Sequence, residues 1–288
     1  MTVVRPETLE QLVEARADLP DALLVAGATD VMVAVNEGRS RPEHVIDLRR
    51  VSDLQQYEVG DETVRIGAGV SFSRIERQVA GVLPALATAA RTVGSPQIRN
   101  RGTLGGNVGT ASPAGDALPV VVAMDGIVEL ASARGSRQVP AREYFIGPGR
   151  TVLCDDECIV AVVLPRLRRG GQSFSKVGPR NAMVISVASV CVHVDLERRI
   201  VGVGVGSAAP TPVPAPDAEA LLQDALASVD WLPQSLPLEV FDDFGHAVSA
   251  ATSPIDDLRG SARYRRHVIQ VLARRCLSQA LAQPEDVR

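Results

Sequence analysis

The 288 residues carry a formal net charge of −4, with 22% charged and 45% hydrophobic side chains. Those values suit a globular protein of about two domains that buries its own core, and they exclude a generally basic nucleic-acid binder. The first residues lack a basic start followed by an apolar run, no window holds the roughly 18 apolar residues of a membrane span, and a cytoplasmic location is expected.

Taken in chain order, Thr8 precedes Leu9, Leu12, Val13 and Arg16 on one helical face, which predicts a helix over residues 8–17. A strand is expected over 22–25, a helix through Val31, Ala34 and Val35, and a further strand over 44–48. Residues 57–59 and 64–66 flank Gly60, Asp61 and Glu62 as a hairpin. Ser71 is the expected cap of a helix carrying Phe72, Ile75 and Val79, and residues 84–93 read as an alanine-rich helix. Residues 94–120 read as a glycine- and proline-rich loop, running into a helix over 117–124. Strands are expected over 127–130 and 157–164.

Charge and paired glycines interrupt the pattern at residues 165–172, and a domain boundary is placed there. Beyond it, residues 185–194 alternate Ala188, Val190, Val192 and Val194 with Ser189, Cys191 and His193, a strand with one fully apolar face. Arg198 and Arg199 form its turn, and residues 200–205 its partner. Residues 210–216 are proline-rich and extended, and helices are expected over 217–226 and 261–282. The last carries Tyr264, Val268, Val271 and Leu272 beside Arg263, Arg265, Arg266, Arg274 and Arg275. It either closes the domain or offers a docking stripe.

Cys154, Cys158, Cys191 and Cys276 are scattered and no histidine accompanies the first pair, so free thiols are expected rather than disulfides or a metal site. The four histidines show no metal-ligand spacing, and no serine or cysteine sits in a nucleophile context. The run GVGVG at 202–206 imitates a dinucleotide fingerprint, but the prolines that follow cannot open a helix.

Two segments are built to place backbone. In LLVAGATDV (23–31) an apolar strand meets Gly27, and Thr29 and Asp30 are expected to cap the next helix, which makes an anion site from free amides and a helix start. In the segment from residue 94, Gly102, Gly105, Gly106 and Gly109 lack the Cβ atoms that keep a phosphate off the main chain.

AGATD (26–30), SPQIRNRGTLGGN (95–107) and ASPAGD (111–116), with FIGPGRTVL (145–153), FSKVGPRNAMVISVASV (174–190), VGSAAPTPV (205–213) and RGSARYRRHVIQVLARR (259–275), resemble the FAD-binding subunits of molybdenum hydroxylases, the xanthine and carbon monoxide dehydrogenase family. Ala28 stands where many members have a second glycine.

The resemblance implies an α+β protein: a two-lobed FAD-binding domain of the vanillyl-alcohol oxidase type (PCMH) over 1–170, with lobes of about 1–55 and 56–170. A smaller α+β domain of the CO dehydrogenase flavoprotein type, with a three-stranded sheet, follows over 171–288.

It also implies a cofactor site of Leu24, Val25, Ala26, Gly27, Ala28, Thr29, Asp30, Val31, Val93, Thr103, Gly105, Gly106, Asn107, Ser112, Asp116, Ile159 and Lys176. Asp116 is also placed to cap the helix after it, Val93 and Ile159 suit an ordinary core, and Lys176 suits a solvated strand. In the family Lys176's position lies beside the flavin, where a cation favours the anionic reduced form. The resemblance further implies FAD here, with molybdopterin on a large partner subunit and [2Fe-2S] clusters on a small one, in a dimer of heterotrimers. Electrons pass to NAD or another acceptor, and a purine or aromatic heterocycle is the expected substrate class. No metal and no catalytic residue is expected on this chain. The alternatives are a self-contained FAD oxidase of the vanillyl-alcohol type and a flavin-free assembly subunit.

Overall fold

The computed structural model describes residues 2–282; residue 1 and residues 283–288, the outer ends of the two expected domains, lie outside the described residues. The strands are β1 (Thr2–Val4), β2 (Leu23–Val25), β3 (His44–Asp47), β4 (Tyr57–Val59), β5 (Thr63–Gly67), β6 (Ile127–Ser132), β7 (Gly135–Pro140), β8 (Phe145–Gly147), β9 (Arg150–Thr151), β10 (Cys158–Pro165), β11 (Gly170–Val177), β12 (Ala188–Asp195), β13 (Ile200–Gly206) and β14 (Val213–Pro214). The helices are α1 (Leu9–Asp18), α2 (Val31–Asn36), α3 (Phe72–Gln78), α4 (Pro84–Thr92), α5 (Pro96–Arg101), α6 (Leu104–Thr110), α7 (Leu118–Ala123), α8 (Ala141–Tyr144), α9 (Pro216–Ser228), α10 (Leu238–Ala250) and α11 (Ala262–Leu281).

β1, β3 and β2 form a small parallel sheet in that order, so the residue-26 turn leaves its carboxyl edge. Such edges are where parallel sheets hold ligands, because loops and helix starts gather there. An antiparallel sheet, β4-β5-β10-β6-β7, follows, and β10 is its apolar centre, with Cys158, Ala161, Val162 and Leu164 fully buried. One apolar cluster joins both sheets to α3, α4, α6 and α7.

The last sheet, β11-β12-β13-β14, has three long antiparallel strands and a two-residue edge strand inside the proline-rich stretch. The expected apolar face of Ala188, Val190, Val192 and Val194 meets α9, α10 and α11 in a second cluster. Against the other face lie α4 and α7. The GVGVG run serves this packing: a Cβ on Gly202 or Gly204 would stand 1.8 Å from Ala123 O or 1.9 Å from Pro119 O, both in α7's main chain. Glycine lets the helix backbone lie directly on the strand.

Several expectations need correction. The 94–120 segment is not one loop, because Ser95 and Thr103 cap two short helices by accepting from Ile98 N and Gly106 N. Neither Ser71 nor Asp30 makes the side-chain cap expected of it. Asp116 does not cap α7, whose N-cap is Ala117. On α11 the buried face runs through Val268, Ile269, Leu272, Ala273, Cys276, Leu277 and Ala280, so the helix closes the domain; Tyr264 is 47% exposed. Arg265 is not on a basic surface: it is buried, donating to Asp257 Oδ1 (2.6 Å), Val187 O (3.0 Å) and Ser207 O (2.6 Å).

All four cysteines are free thiols, Cys154 at the surface and the others buried. Among the described residues no helix is long and apolar enough to cross a membrane.

Glu157 ties β7 to the turn before β10, accepting from Arg137 Nε (2.6 Å), Arg137 Nη2 (2.8 Å) and Cys154 N (2.8 Å). The Arg137 guanidinium is the main reason its carboxyl sits at about 2 rather than the usual 4.5. A carboxyl lowered on folding contributes stability that is complete above its unfolded pKa and is lost as pH falls through the folded one. Glu157→Gln is therefore expected to destabilise the chain at neutral pH and to flatten its stability profile between pH 4.5 and about 2. Chemical denaturation across that range measures both effects.

Candidate functional site

The turn after β2 and the junction between α5 and α6 meet main chain to main chain. A Cβ on Gly27 would stand 2.1 Å from Arg101 O and 2.8 Å from Gly102 Cα, so only glycine allows the approach. Among the described residues, the N–H groups of Gly27, Ala28, Thr29 and Asp30 have no protein acceptor. Backbone donors of this kind are ordinarily paired, and a run of unpaired ones marks a place where an anion or solvent supplies the acceptor.

Ala28 has φ 63°, a left-handed conformation that suits glycine better than alanine. Ala28→Gly should therefore raise the thermal stability of the flavin-free chain, by about 0.5–1 kcal/mol after glycine's own entropic cost. A fall in stability would show that the Ala28 methyl group packs usefully.

The phase of α6 separates its glycines. Gly105 is buried, its N–H donates to Ala68 O, and a Cβ there would meet Ala68 Cα and O at 2.7 Å. Gly106 and Gly109 are exposed, with nearest neighbours Thr103 Oγ1 at 3.1 Å and Ile159 Cδ1 at 3.3 Å from the Cβ positions. One side of the helix is thus locked to the scaffold and the other is bare backbone. Thr103 holds the helix start by accepting from Gly106 N. Ser112 does the same for the next turn, accepting from Ala114 N.

Two buried acceptors beside this face lack partners among the described residues: Asn107 Oδ1 and Asp116 Oδ1. Asp116's other oxygen accepts from Lys176 Nζ (2.5 Å) and Thr92 Oγ1 (3.2 Å), with the Asp116 and Lys176 side chains only 7% and 9% exposed. Burial pushes the Asp116 carboxyl up, and Lys176 and Thr92 work against that rise. Unpaired buried acceptors are costly, and a ligand bearing N–H or O–H groups satisfies them.

The expected site residues are therefore distributed unevenly. Close approaches link Gly27 and Thr29 to Gly102, Gly106 to Thr103 and Gly109 to Ile159, and Asp116 follows Gly115, whose Cβ position lies 3.1 Å from Asn107 Nδ2. Leu24 and Val25 lie in β2, with Leu24 packed on the core, and half-buried Val31 opens α2. Gly105 faces Ala68, and Val93 is the half-buried C-cap of α4. Lys176 meets Asp116, Thr92 O (3.0 Å) and Val184 O (3.2 Å). Thr92 was not anticipated, since a helix-terminal threonine carries no signal of its own. Neither was Arg99, whose Nη1 donates to Val93 O and Gly94 O and braces the turn.

The surface fits FAD: unpaired amides for a pyrophosphate, bare helix backbone, and buried acceptors for ligand donors.

Comparison with known proteins follows the same lines. Residues 1–167 match the family described as FAD binding domain in molybdopterin dehydrogenase, and residues 173–280 the CO dehydrogenase flavoprotein C-terminal domain. The chain is 37% identical over 201 residues to the nicotinate dehydrogenase FAD-subunit of Eubacterium barkeri, covering 66% of this chain and 68% of that one. It is 31% identical to the putative xanthine dehydrogenase FAD-binding subunit of Escherichia coli (96% and 95% covered). It is 32% identical to the nicotine 6-hydroxylase medium subunit of Paenarthrobacter nicotinovorans, with the same coverage. Among solved structures, a chain of reconstituted CO dehydrogenase from Oligotropha carboxidovorans superposes with a TM-score of 0.89 at 25% identity, covering 99% of this chain and 98% of that one.

Proposed function

The chain belongs to the FAD-binding subunits of the molybdopterin dehydrogenases, and from that premise we propose that it is the electron-transfer subunit of a molybdenum hydroxylase acting on a purine or other aromatic heterocycle. It holds one FAD between the 26–30 turn and α6. A large subunit carries molybdopterin and the substrate, a small subunit carries the [2Fe-2S] clusters, and NAD or another acceptor takes the electrons. The whole is a dimer of heterotrimers. The observation that carries the cofactor site is the close approach of Gly27, in the turn whose amides at 27–30 are unpaired, to Arg101 and Gly102 immediately before α6 and its exposed glycines. The substrate class is supported by the nicotinate, xanthine and nicotine enzymes among the relatives. The four free thiols support a reducing, cytoplasmic setting.

In this reading residues 1–170 form the FAD domain and 171–288 the second domain, in keeping with separate sheets and with two apolar clusters, the first of which takes in only Phe174 and Cys191 from beyond residue 170 as buried members. The amides of 27–30 and the α6 backbone hold the pyrophosphate, and Asn107 and Asp116 accept from the cofactor's polar hydrogens. Val93 and Ile159 give it apolar cover. Bound FAD supplies the conversion between one-electron and two-electron transfer. The protein's share is to bind, orient and shield the group.

The test is reconstitution. The flavin-loaded chain alone should oxidise no organic substrate, and adding the large and small subunits should restore heterocycle-dependent reduction of its flavin. Turnover of an organic substrate by the chain alone would establish a self-contained oxidase instead. A chain that joins its partners without flavin would be an assembly subunit.

A further inference from the structure

We propose that Arg265 is a positioning residue for the cofactor site: from the first turn of α11 it fixes, through Ser207, the 112–116 turn that carries Ser112 and Asp116. The inference rests on the FAD-site reading above and deepens it, since it assigns part of the site's geometry to the last helix of the chain. The Arg265 side chain is only 4% exposed. A guanidinium is a planar fork of N–H donors with no acceptor. One nitrogen, Nη1, donates to two carbonyls at once, Ser207 O at 2.6 Å and Val187 O at 3.0 Å, while Nη2 donates to Asp257 Oδ1 at 2.6 Å. Val187 immediately precedes β12, Ser207 immediately follows β13, and the ladder between those strands ends at the pair Ser189 and Gly206. Arg265 thus joins two strand ends where their own pairing stops.

Those ends are tied in turn to the cofactor site. Ser207 has φ 60°, a left-handed conformation that bends the chain away from β13. Its N–H donates to Pro113 O at 2.8 Å, and its carbonyl is the one that Arg265 takes. With both main-chain groups engaged, Ser207 links a buried cation to the 112–116 turn. Within that turn Gly115 N donates to Ser112 O at 2.9 Å and Ala114 N to Ser112 Oγ at 3.3 Å, so a hold on Pro113 bears on the whole turn up to Asp116. The second carbonyl leads to β11, because Val187 N donates to Val177 O at 2.8 Å and Val177 adjoins Lys176. One guanidinium therefore braces the two segments that carry the charged residues of the expected site. Without it, two carbonyls lose a buried donor, and a non-glycine residue at positive φ loses one of the bonds that hold it there. Methionine supplies no donor in its place, and lysine supplies the charge without the fork.

The experiment titrates the deflavinated full-length chain with FAD, reading affinity by flavin fluorescence and the geometry of the bound flavin by its visible circular dichroism. Arg265→Met should weaken FAD binding by about tenfold, a scale reached by residues that touch neither partner of a coupled pair, and should alter the visible dichroism. Arg265→Lys should weaken binding by about threefold, with the same spectral change in smaller degree. The control is Leu272→Ala, a cut in the buried face of α11 roughly two turns beyond Arg265. It should lower thermal stability yet leave FAD affinity within about twofold and the flavin spectrum unchanged. Each titration is run below the unfolding temperature of the flavin-free variant. If Arg265→Met does not fold, Arg265→Lys set against Leu272→Ala decides the same question. Native affinity and native dichroism in the Arg265 variants, or an equal change of both in Leu272→Ala, would overturn the proposal. Absence of FAD binding by the unaltered chain would instead overturn the FAD-site reading itself.

Discussion

Gly27→Ala is expected to lower stability by about 2–3 kcal/mol and to weaken FAD binding by about a hundredfold or more. The added methyl carbon would lie 2.1 Å from Arg101 O, 2.6 Å from Arg101 C and 2.8 Å from Gly102 Cα, and all three are main-chain atoms that no side-chain rotation removes. The turn after β2 must then withdraw from the junction between α5 and α6, and the two halves of the cofactor surface separate. Thermal unfolding of the flavin-free variant reads the first effect, and FAD titration the second. Native FAD affinity in this variant would mean that the two segments do not share a ligand.

Gly106→Val has the opposite division of effects. Its Cβ position is open except for Thr103 Oγ1 at 3.1 Å, on an exposed face. Valine has a better helix propensity than glycine, so the flavin-free chain should keep its stability within about 1 kcal/mol. The branched side chain would nevertheless stand where the cofactor approaches bare backbone, and stoichiometric flavin should be lost. The neighbouring Gly105→Val is the control: its Cβ would strike Ala68 Cβ at 2.4 Å and Ala68 main chain at 2.7 Å, so stability itself should fall. Retention of one flavin per chain by the Gly106 variant would remove α6 from the site.

That contrast also marks what a sequence conveys. Adjacent glycines at 105 and 106 are indistinguishable as letters, and their roles diverge only because successive helical residues point about 100° apart. The 94–120 segment resisted reading for the same reason: glycines and prolines signal a loop, whereas Ser95 and Thr103 nucleate two short helices through their caps. Strong periodicity was legible, as in α1, β12 and α11. Yet α11's buried stripe begins at Arg265 rather than Tyr264, because Asp257 and two carbonyls accept from that arginine. α10 went unread, since of its apolar side chains Leu238 is 82% exposed while Phe244 and Val248 are buried. The cofactor loops were legible as a set through their resemblance to a family. The Asp116–Lys176–Thr92 cluster was not, since it joins residues 84 positions apart through tertiary packing.

The most direct measurement is an equilibrium titration of the deflavinated full-length chain with FAD and, separately, with FMN. The account predicts one FAD bound per chain and much weaker FMN binding, because the surface formed by residues 26–30 and α6 is matched to a pyrophosphate that FMN lacks. Equal affinity for the two flavins, or no FAD binding at all, would contradict it.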